Sequence, residues 1–319
     1  MNERIAVTIL CTAYNHERYI RDALEGFVMQ KTSFPFEVLV HDDASTDKTA
    51  DIIREYEEKY PDIIKPIYQT ENQHSKKIPI TRTFLLPRAQ GKYIALCEGD
   101  DYWTDPMKLQ KQYDFMEANP EYSMCACSTI WLDMRTGKTS QRCRTELEKD
   151  VSLEEIILET KGRVFQYATV FIKAEVYKSL PEWTRLFHLL DAPLAMHAAL
   201  CGKVRMLPDT MAVYRNHAAG SWTARIDQNV ECKTTALQYM IDGLQAMNEA
   251  TDYVYNDVIC LRIKRHKYNI ARIKRDLKAM RSGELKEIYQ SKPFPARISD
   301  VLYCKAPRLQ ALLLKLWKN

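Results

Sequence analysis

The first hundred residues alternate between unbroken apolar runs and runs with a helical repeat. Ile5 to Cys11 is a continuous apolar stretch that predicts a strand, and about Glu17 to Gln30 predicts a helix. Phe36 to Val40 predicts a second strand, and Asp47 to Tyr60 a helix with Asp47 as its N-cap. Ile63 to Tyr68 and Tyr93 to Cys97 follow as a third and a fourth strand. Strands that are apolar throughout are buried on both faces, so this alternation points to a mainly parallel sheet between helical layers. In such α/β architecture ligands gather at the carboxyl ends of the strands.

Farther along, the pattern predicts a helix over Asp105 to Asn119 and strands over Tyr122 to Met134. The capping box Ser152-Leu-Glu-Glu155 opens another helix. Ala168 to Ile172 predicts a strand, Asp191 to Cys201 a helix, and Val204 to Tyr214 a strand or hairpin. After about Arg225 the strands stop and long helical segments take over. The expected division is therefore an α/β domain over 1–225 and a helical region over 226–319.

Composition narrows the class. A chain of 319 residues can bury a full core and carry a second, smaller unit. Apolar residues at 46% and charged residues at 28% are ordinary for a globular protein. No apolar run reaches the roughly 18 to 20 residues that cross a bilayer. Met1 to Ile9 reads as the start of a strand rather than as a signal peptide, so export by that route is not expected. The nine cysteines include no Cys-x-x-Cys pair, and their odd number suits a reducing, cytoplasmic setting. Cys11 and Cys97 lie in apolar runs, where buried, inert thiols are expected, and Cys125 and Cys127 share one face of a strand.

Charge is unevenly distributed. From Tyr253 onward sixteen Lys or Arg face five Asp or Glu, an excess of eleven positive charges. The whole chain carries +4, so the remainder stands at −7. Leu261, Tyr268, Ile273 and Leu277 recur at roughly helical spacing among these basic residues, and Leu309 to Trp317 is a further apolar and cationic segment. Two readings stand side by side: attachment to an anionic membrane surface, or a solvated helical pair that packs on the rest of the protein. Nucleic acid is not expected, because no recognised module accompanies the charge.

Polar clusters follow three of the predicted strands: Thr12-Ala13-Tyr14-Asn15, then Asp42-Asp43-Ala44-Ser45-Thr46-Asp47, then Glu98-Gly99-Asp100-Asp101-Tyr102-Trp103. In a parallel sheet they converge on one crevice. Turn and cap chemistry accounts for part of the second cluster. It does not account for three acids at one strand end, which repel one another unless a cation compensates them. A hard divalent ion, held by one or two carboxylates and by substrate phosphates, fits that arrangement. The sequence has neither a Gly-x-Gly-x-x-Gly turn nor a Gly-x-x-x-x-Gly-Lys-Ser/Thr loop, so a diphosphate would be held by metal and side chains.

In order and spacing, Thr12 to Asn15, the Asp-Asp-x-Ser-x-Asp run from Asp42, and the Glu98-x-Asp100-Asp101 cluster followed by Pro106 and Leu109 resemble glycosyltransferase family 2 with its GT-A fold. Asp191-Ala-Pro-Leu194, Tyr214-Arg215-x-His217 and Ser221-Trp222 resemble a bacterial, polysaccharide-type branch of it, and the likeness spans about residues 4–225. What the resemblance implies is an inverting, metal-dependent transfer of a hexosyl or N-acetylhexosaminyl group. The donor would be a nucleotide-sugar, with UDP the family preference, and the acceptor a saccharide or lipid-linked hydroxyl in cell-surface polysaccharide, capsule or lipopolysaccharide synthesis.

The resemblance also implies roles. Thr12, Ala13, Tyr14 and Asn15 would wall the nucleotide pocket, Asp42 would accept a hydrogen bond from the base, and Asp43 would brace its loop. Asp100 would bind Mn2+ or Mg2+, with Asp101 and His217 as further candidate ligands. Glu98 would face ribose or metal-bound water; Glu in place of the family's usual Asp there leaves its role open. Asp191 would be the general base, a role that can coexist with capping its helix ahead of Pro193. Arg215 is expected at the diphosphate, and Trp103 and Trp222 at the sugar or acceptor, with core packing as the competing explanation for either tryptophan. Sugar-phosphate nucleotidyltransferases also join an α/β sheet to carboxylate-held metal, but they would carry a glycine-rich loop after the first strand, and Ile9 to Glu17 contains no glycine. A catalytically degenerate sugar-nucleotide-binding protein is the non-enzymatic alternative.

Overall fold

The structure, a computed structural model, describes residues 4–142, 149–159, 165–187, 191–221, 224, 226 and 229–316. The apolar runs are strands as expected: β1 (Val7–Ala13), β2 (Phe36–Asp42), β3 (Ile64–Tyr68) and β4 (Tyr93–Leu96). They pair in parallel in the order β3-β2-β1-β4, and all seven residues of β2 are buried. Helices α1 (Ile20–Val28) and α2 (Thr49–Lys59) alternate with them, and α1 buries Ile20, Ala23, Leu24 and Phe27 against the sheet core. The N-cap position is Lys48, so Asp47, expected there, stands one residue before it; its Oδ1 accepts from the N–H and the hydroxyl of Thr49, at 2.9 and 2.5 Å.

Beyond β4 the sheet is mixed. After β5 (Tyr102–Trp103) and helix α3 (Lys108–Ala118) comes β6 (Tyr122–Asp133), a single strand whose first eight residues are buried. The short strands β7 (Thr139–Arg142), β8 (Lys149–Asp150) and β9 (Phe171–Lys173) and the long β10 (Lys203–Asn216) complete ten strands among the described residues. β9 lies antiparallel between β4 and β6, β10 runs parallel to β6, and β5 pairs antiparallel with β10. An apolar run reports burial on both faces but not direction, which is why this reversal is invisible in the pattern. The strand expected from Ala168 starts later for a local reason. Thr169 Oγ1 donates to Gln166 O at 2.7 Å and closes a 3-10 turn over Tyr167–Thr169.

Helix α4 (Leu153–Leu158) opens on the predicted capping box, in which Ser152 Oγ accepts from Glu155 N and Glu155 Oε2 from Ser152 N, each at 3.2 Å. Helices α5 (Ala174–Lys178) and α6 (Asp191–Cys201) follow, the latter with its expected bounds. Cys11, Cys97, Cys125 and Cys127 are buried free thiols, and burial raises all four above the ordinary cysteine range.

The chain divides into two compact units, Met1–Pro181 with Leu190–Ala224, and Glu182–Leu189 with Arg225–Asn319. The second takes in residues 182–189, which the sequence pattern leaves with the first. It is built on α7 (Val230–Ala250) and α8 (Asn256–Ile273), followed by the short helices α9 (Leu277–Met280), α10 (Lys286–Ser291), α11 (Phe294–Lys305) and α12 (Pro307–Leu316). Gly243 lets the Phe187 ring approach α7, since a Cβ there would lie 2.2 Å from the ring. Asp300 is buried, and burial alone would raise its pKa. Lys292, Tyr268 Oη at 2.6 Å and Arg272 Nε at 2.8 Å hold it below the usual range instead. Among the described residues no helix is long and apolar enough to cross a membrane.

Candidate active site

Register brings the polar clusters together. Ala13 lies opposite Asp42, and Leu10 opposite Leu96, so the carboxyl ends of β2, β1 and β4 stand side by side. The Thr12–Asn15 and Asp42–Asp47 segments are then joined bond by bond. Asp43 N donates to Ala13 O (2.9 Å), Asn15 N to Ser45 Oγ (2.9 Å), Thr46 N to Asn15 Oδ1 (2.8 Å) and Glu17 N to Asp47 Oδ2 (3.1 Å). Asn15 and Ala44 both take left-handed backbone, at φ 55° and 60°, a conformation that costs a non-glycine residue energy and is retained where surroundings enforce it. Ala13 is buried and contributes backbone, whereas Tyr14 is 44% exposed.

Asp42 is buried; its Oδ2 accepts from Ser45 N at 3.2 Å, and its Oδ1 has no partner among the described residues. An orphaned carboxylate oxygen in a buried position is an acceptor waiting for a donor. Asp43 braces its loop as expected, accepting from Gln73 N at 2.7 Å and His74 N at 3.0 Å.

The acidic turn leans on the first loop. Gly99 N donates to Thr12 O at 2.9 Å, and a Cβ at Gly99 would lie 2.9 Å from His16 Nδ1, so the approach requires glycine. Carboxylate oxygens of Glu98, Asp100 and Asp101 all fall within 4.8 Å of one another. Glu98 opens to solvent yet sits deep among protein atoms. Its carboxyl is pushed up to about 8, by desolvation first and then by the charges of Asp100 and Asp191. Asp101 is buried and also raised, by desolvation and by Asp100, while Arg215 N, donating at 2.8 Å, works the other way. Burial and mutual repulsion therefore disfavour the full negative charge of the cluster unless a cation compensates it. A set of oxygen donors that needs a counter-charge fits a hard divalent ion.

Asp191 is the first residue of α6, where a carboxylate interacts favourably with the helix dipole. Its charge is one of the influences that raise the Glu98 carboxyl. His217 directly follows β10, two residues beyond Arg215, and is also left-handed at φ 63°.

Two expectations need correction. Trp103 is 2% exposed; its Nε1 donates to Ala168 O at 2.8 Å and its ring meets Phe27 edge-on at 5.0 Å, so it is a core residue and not a wall of the sugar pocket. Arg215, expected as a cation at the diphosphate, is 6% exposed and committed to the acidic turn. Its Nη1 donates to Asp100 O at 2.9 Å and its Nη2 bonds Asp22, while its guanidinium lies 4.3 Å from the Tyr102 ring centre and 5.3 Å from that of Tyr19. Trp222 lies outside the described residues. The sequence reading also missed Asp22 and His16. Asp22 stands one helical turn from Tyr19 on α1, a spacing that could have signalled a shared partner. His16 directly follows the Thr12–Asn15 loop, within reach of the charges of Asp100, Asp47 and Asp42, and burial lowers its pKa.

Because Arg215 fixes the acidic turn from behind, Arg215→Met should lower apo stability by about 1–3 kcal/mol, the cost of leaving a buried carbonyl and a charged partner without a donor. Asp22 is half exposed, which keeps the figure below that of a fully buried pair. Arg215→Lys should recover little of it, since lysine lacks the planar fork that fits between two rings. Thermal melts of both variants without ligand test this; a wild-type melt for Arg215→Met would remove the clamp.

A mixed sheet with three loops and an acidic triad at its carboxyl edge is the construction of a GT-A glycosyltransferase. The profile described as "Glycosyl transferase family 2" matches residues 8–180, and the chain belongs to that family. An uncharacterized protein of Mycobacterium tuberculosis is 38% identical over 243 residues, which is 76% of this chain and 67% of that one. The Escherichia coli enzyme WfaP, a UDP-Glc:alpha-D-GlcNAc-diphosphoundecaprenol beta-1,3-glucosyltransferase, is 35% identical over 111 residues, 35% of this chain and 41% of its own. Among solved structures, S. aureus TarS 1-349 in complex with UDP-GlcNAc shares the fold at TM-score 0.61 and 20% identity, covering 97% of this chain and 84% of that chain. The mannosyltransferase PcManGT from Pyrobaculum calidifontis, with GDP-Man and Mn2+, aligns at TM-score 0.58 and 16% identity over 100% and 89%.

Proposed function

We propose that this glycosyltransferase inverts the anomeric centre of a UDP-sugar as it transfers the sugar to a hydroxyl of a saccharide or lipid-linked acceptor, in bacterial cell-surface polysaccharide synthesis at the inner face of the cytoplasmic membrane. The observation that carries this reading is the cluster of Glu98, Asp100 and Asp101 carboxylates within 4.8 Å of one another after β4, with the charge of Asp191 acting on Glu98. The unpartnered Asp42 Oδ1 suits the N–H of a uracil, with the stapled Thr12–Asn15 loop and the exposed Tyr14 ring beside it. Asp100 and Asp101 would hold Mn2+ or Mg2+, with Glu98 toward the ribose and His217 completing the diphosphate end. That ion, when bound, would offset charge developing on the leaving diphosphate. WfaP uses a UDP-sugar and TarS binds one, which supports the donor class; the Mn2+ in PcManGT supports the ion.

In the transfer step Asp191 takes the proton of the acceptor hydroxyl as that oxygen attacks the anomeric carbon. The bond from that carbon to the diphosphate oxygen breaks on the opposite face, and its electron pair leaves with the UDP. Arg215, through Asp100 and Asp101, keeps the acidic turn in place while charge moves across it.

Donor class is tested by thermal stabilisation, because a ligand that binds the native state raises the melting temperature by mass action. UDP and UDP-sugars with Mn2+ should raise it by several degrees at concentrations about 100-fold above their Kd, an effect worth about 2.7 kcal/mol, and should raise it far less in EDTA. A larger, metal-independent shift with a purine nucleotide-sugar would overturn the uracil assignment.

A further inference from the structure

We infer that the outer face of α11 and α12 is a docking surface for an anionic lipid bilayer. The inference does not depend on the donor, the acceptor or the chemistry proposed above. Phe294 is 67% exposed and Ile298 43%, and they stand one turn apart on α11. Leu309, 48% exposed, and Leu313, 38% exposed, repeat the same spacing on α12. Residues four apart share a helix face, so each helix presents a two-residue apolar ridge to solvent. A hydrogen bond of 2.9 Å from Gln310 Nε2 to Ser299 Oγ ties the two helices together.

Cations accompany the ridges. At 100° per residue the exposed Lys305 falls between Phe294 and Ile298 around the axis of α11, and Arg308, also exposed, precedes Leu309. Arg297 lies 5.8 Å from the Phe294 ring centre. The acidic side of the balance is withdrawn. Asp300 is the sole acid between Ser291 and Leu316, and it is buried under Tyr268, Arg272 and Lys292. Among the described residues of the two helices, the exposed side chains are apolar or positive.

A bilayer surface offers both complements at once, acyl chains just below a plane of negative headgroups, and short amphipathic helices lie in that boundary without crossing it. Nucleic acid would answer the cations but leave Phe294, Ile298, Leu309 and Leu313 in water. A second copy of the chain would answer the apolar ridges but bring like charges together.

The test is co-sedimentation of the full chain with vesicles of phosphatidylglycerol and phosphatidylcholine, against pure phosphatidylcholine. Partitioning onto the anionic vesicles should exceed that onto neutral ones by at least tenfold at low salt and should fall as salt rises. Replacing Phe294, Ile298, Leu309 and Leu313 together by Ser should reduce partitioning at least tenfold, and so should the pair Lys305→Glu and Arg308→Glu. All these side chains are exposed, so both variants should keep the wild-type circular dichroism and melting temperature. Equal partitioning of the serine variant and the wild type would overturn the inference, because charge alone would then explain binding. So would an absence of binding to anionic vesicles, tighter binding to RNA than to vesicles, or a dimer in sedimentation velocity that the serine variant converts to monomer.

Discussion

Asp191→Asn should leave donor affinity and fold nearly intact while turnover collapses by about 10²–10⁴-fold, the range that a positioned general base contributes. Asparagine keeps the shape and can still bond at a helix start, so α6 should form as before. It loses the charge that favours the first turn of a helix, worth about 0.3–1 kcal/mol, and the melting temperature should fall only slightly. The loss should appear in kcat, since the missing proton transfer belongs to the transition state and not to donor binding. The anomeric configuration of the product should be measured on the wild type alongside. Turnover within tenfold of wild type, accompanied by a clear drop in stability, would make Asp191 a structural residue and require another base.

The second large effect separates metal from fold. Asp100→Ala should abolish transfer, with a loss of about 10²–10³-fold or more as charge stabilisation at the leaving group disappears. It should also remove the Mn2+-dependent thermal shift with UDP. The protein without ligand should melt at or above the wild-type temperature. Asp100 is the charge that, after burial, does most to raise the carboxyl groups of Glu98 and Asp101, so its removal relieves repulsion. A mutation that stabilises the empty protein and destroys its activity is the expected signature of a site strained for function. Excess chelator should reproduce the catalytic loss in the wild type. Full activity in chelator, or an apo melt well below wild type for Asp100→Ala, would refute the assignment.

Much of this is legible in the sequence, for specific reasons. β1 and β4 read as buried strands because every position is apolar or small, β2 because Val38, Leu39 and Val40 dominate it despite Glu37, and the helices between them carry the 3.6-residue repeat. The bounds of α6 and the Ser152–Glu155 capping box are local, written in adjacent residues. The acidic turn could be identified because three carboxylates have no structural reason to stand together at a strand end. What could not be read depends on partners distant in the chain. The antiparallel insertion of β9 between β4 and β6 pairs residues about 80 and 47 positions apart, and neither periodicity nor composition encodes that choice. Trp103 and Arg215 were misplaced for the same reason. A tryptophan beside an acidic motif looks like a sugar platform until Phe27 and Ala168 close around it. An arginine near a histidine looks like a phosphate ligand until Asp22, 193 residues away, claims its guanidinium.

The stapling of the first two loops has a consequence for how such a site can change. Residues 13–17 and 43–49 exchange hydrogen bonds alternately in both directions, so the two segments move as one mechanical part. An insertion or deletion in either would break the other's bonds and lift both left-handed residues out of the surroundings that enforce them. Variation in what the pocket accepts is then confined to side chains that project from this part and take no share in holding it. Tyr14 is such a side chain, exposed at the centre of the first loop and absent from the stapling bonds. A designer seeking a different base or sugar would begin there and leave the length of both loops alone.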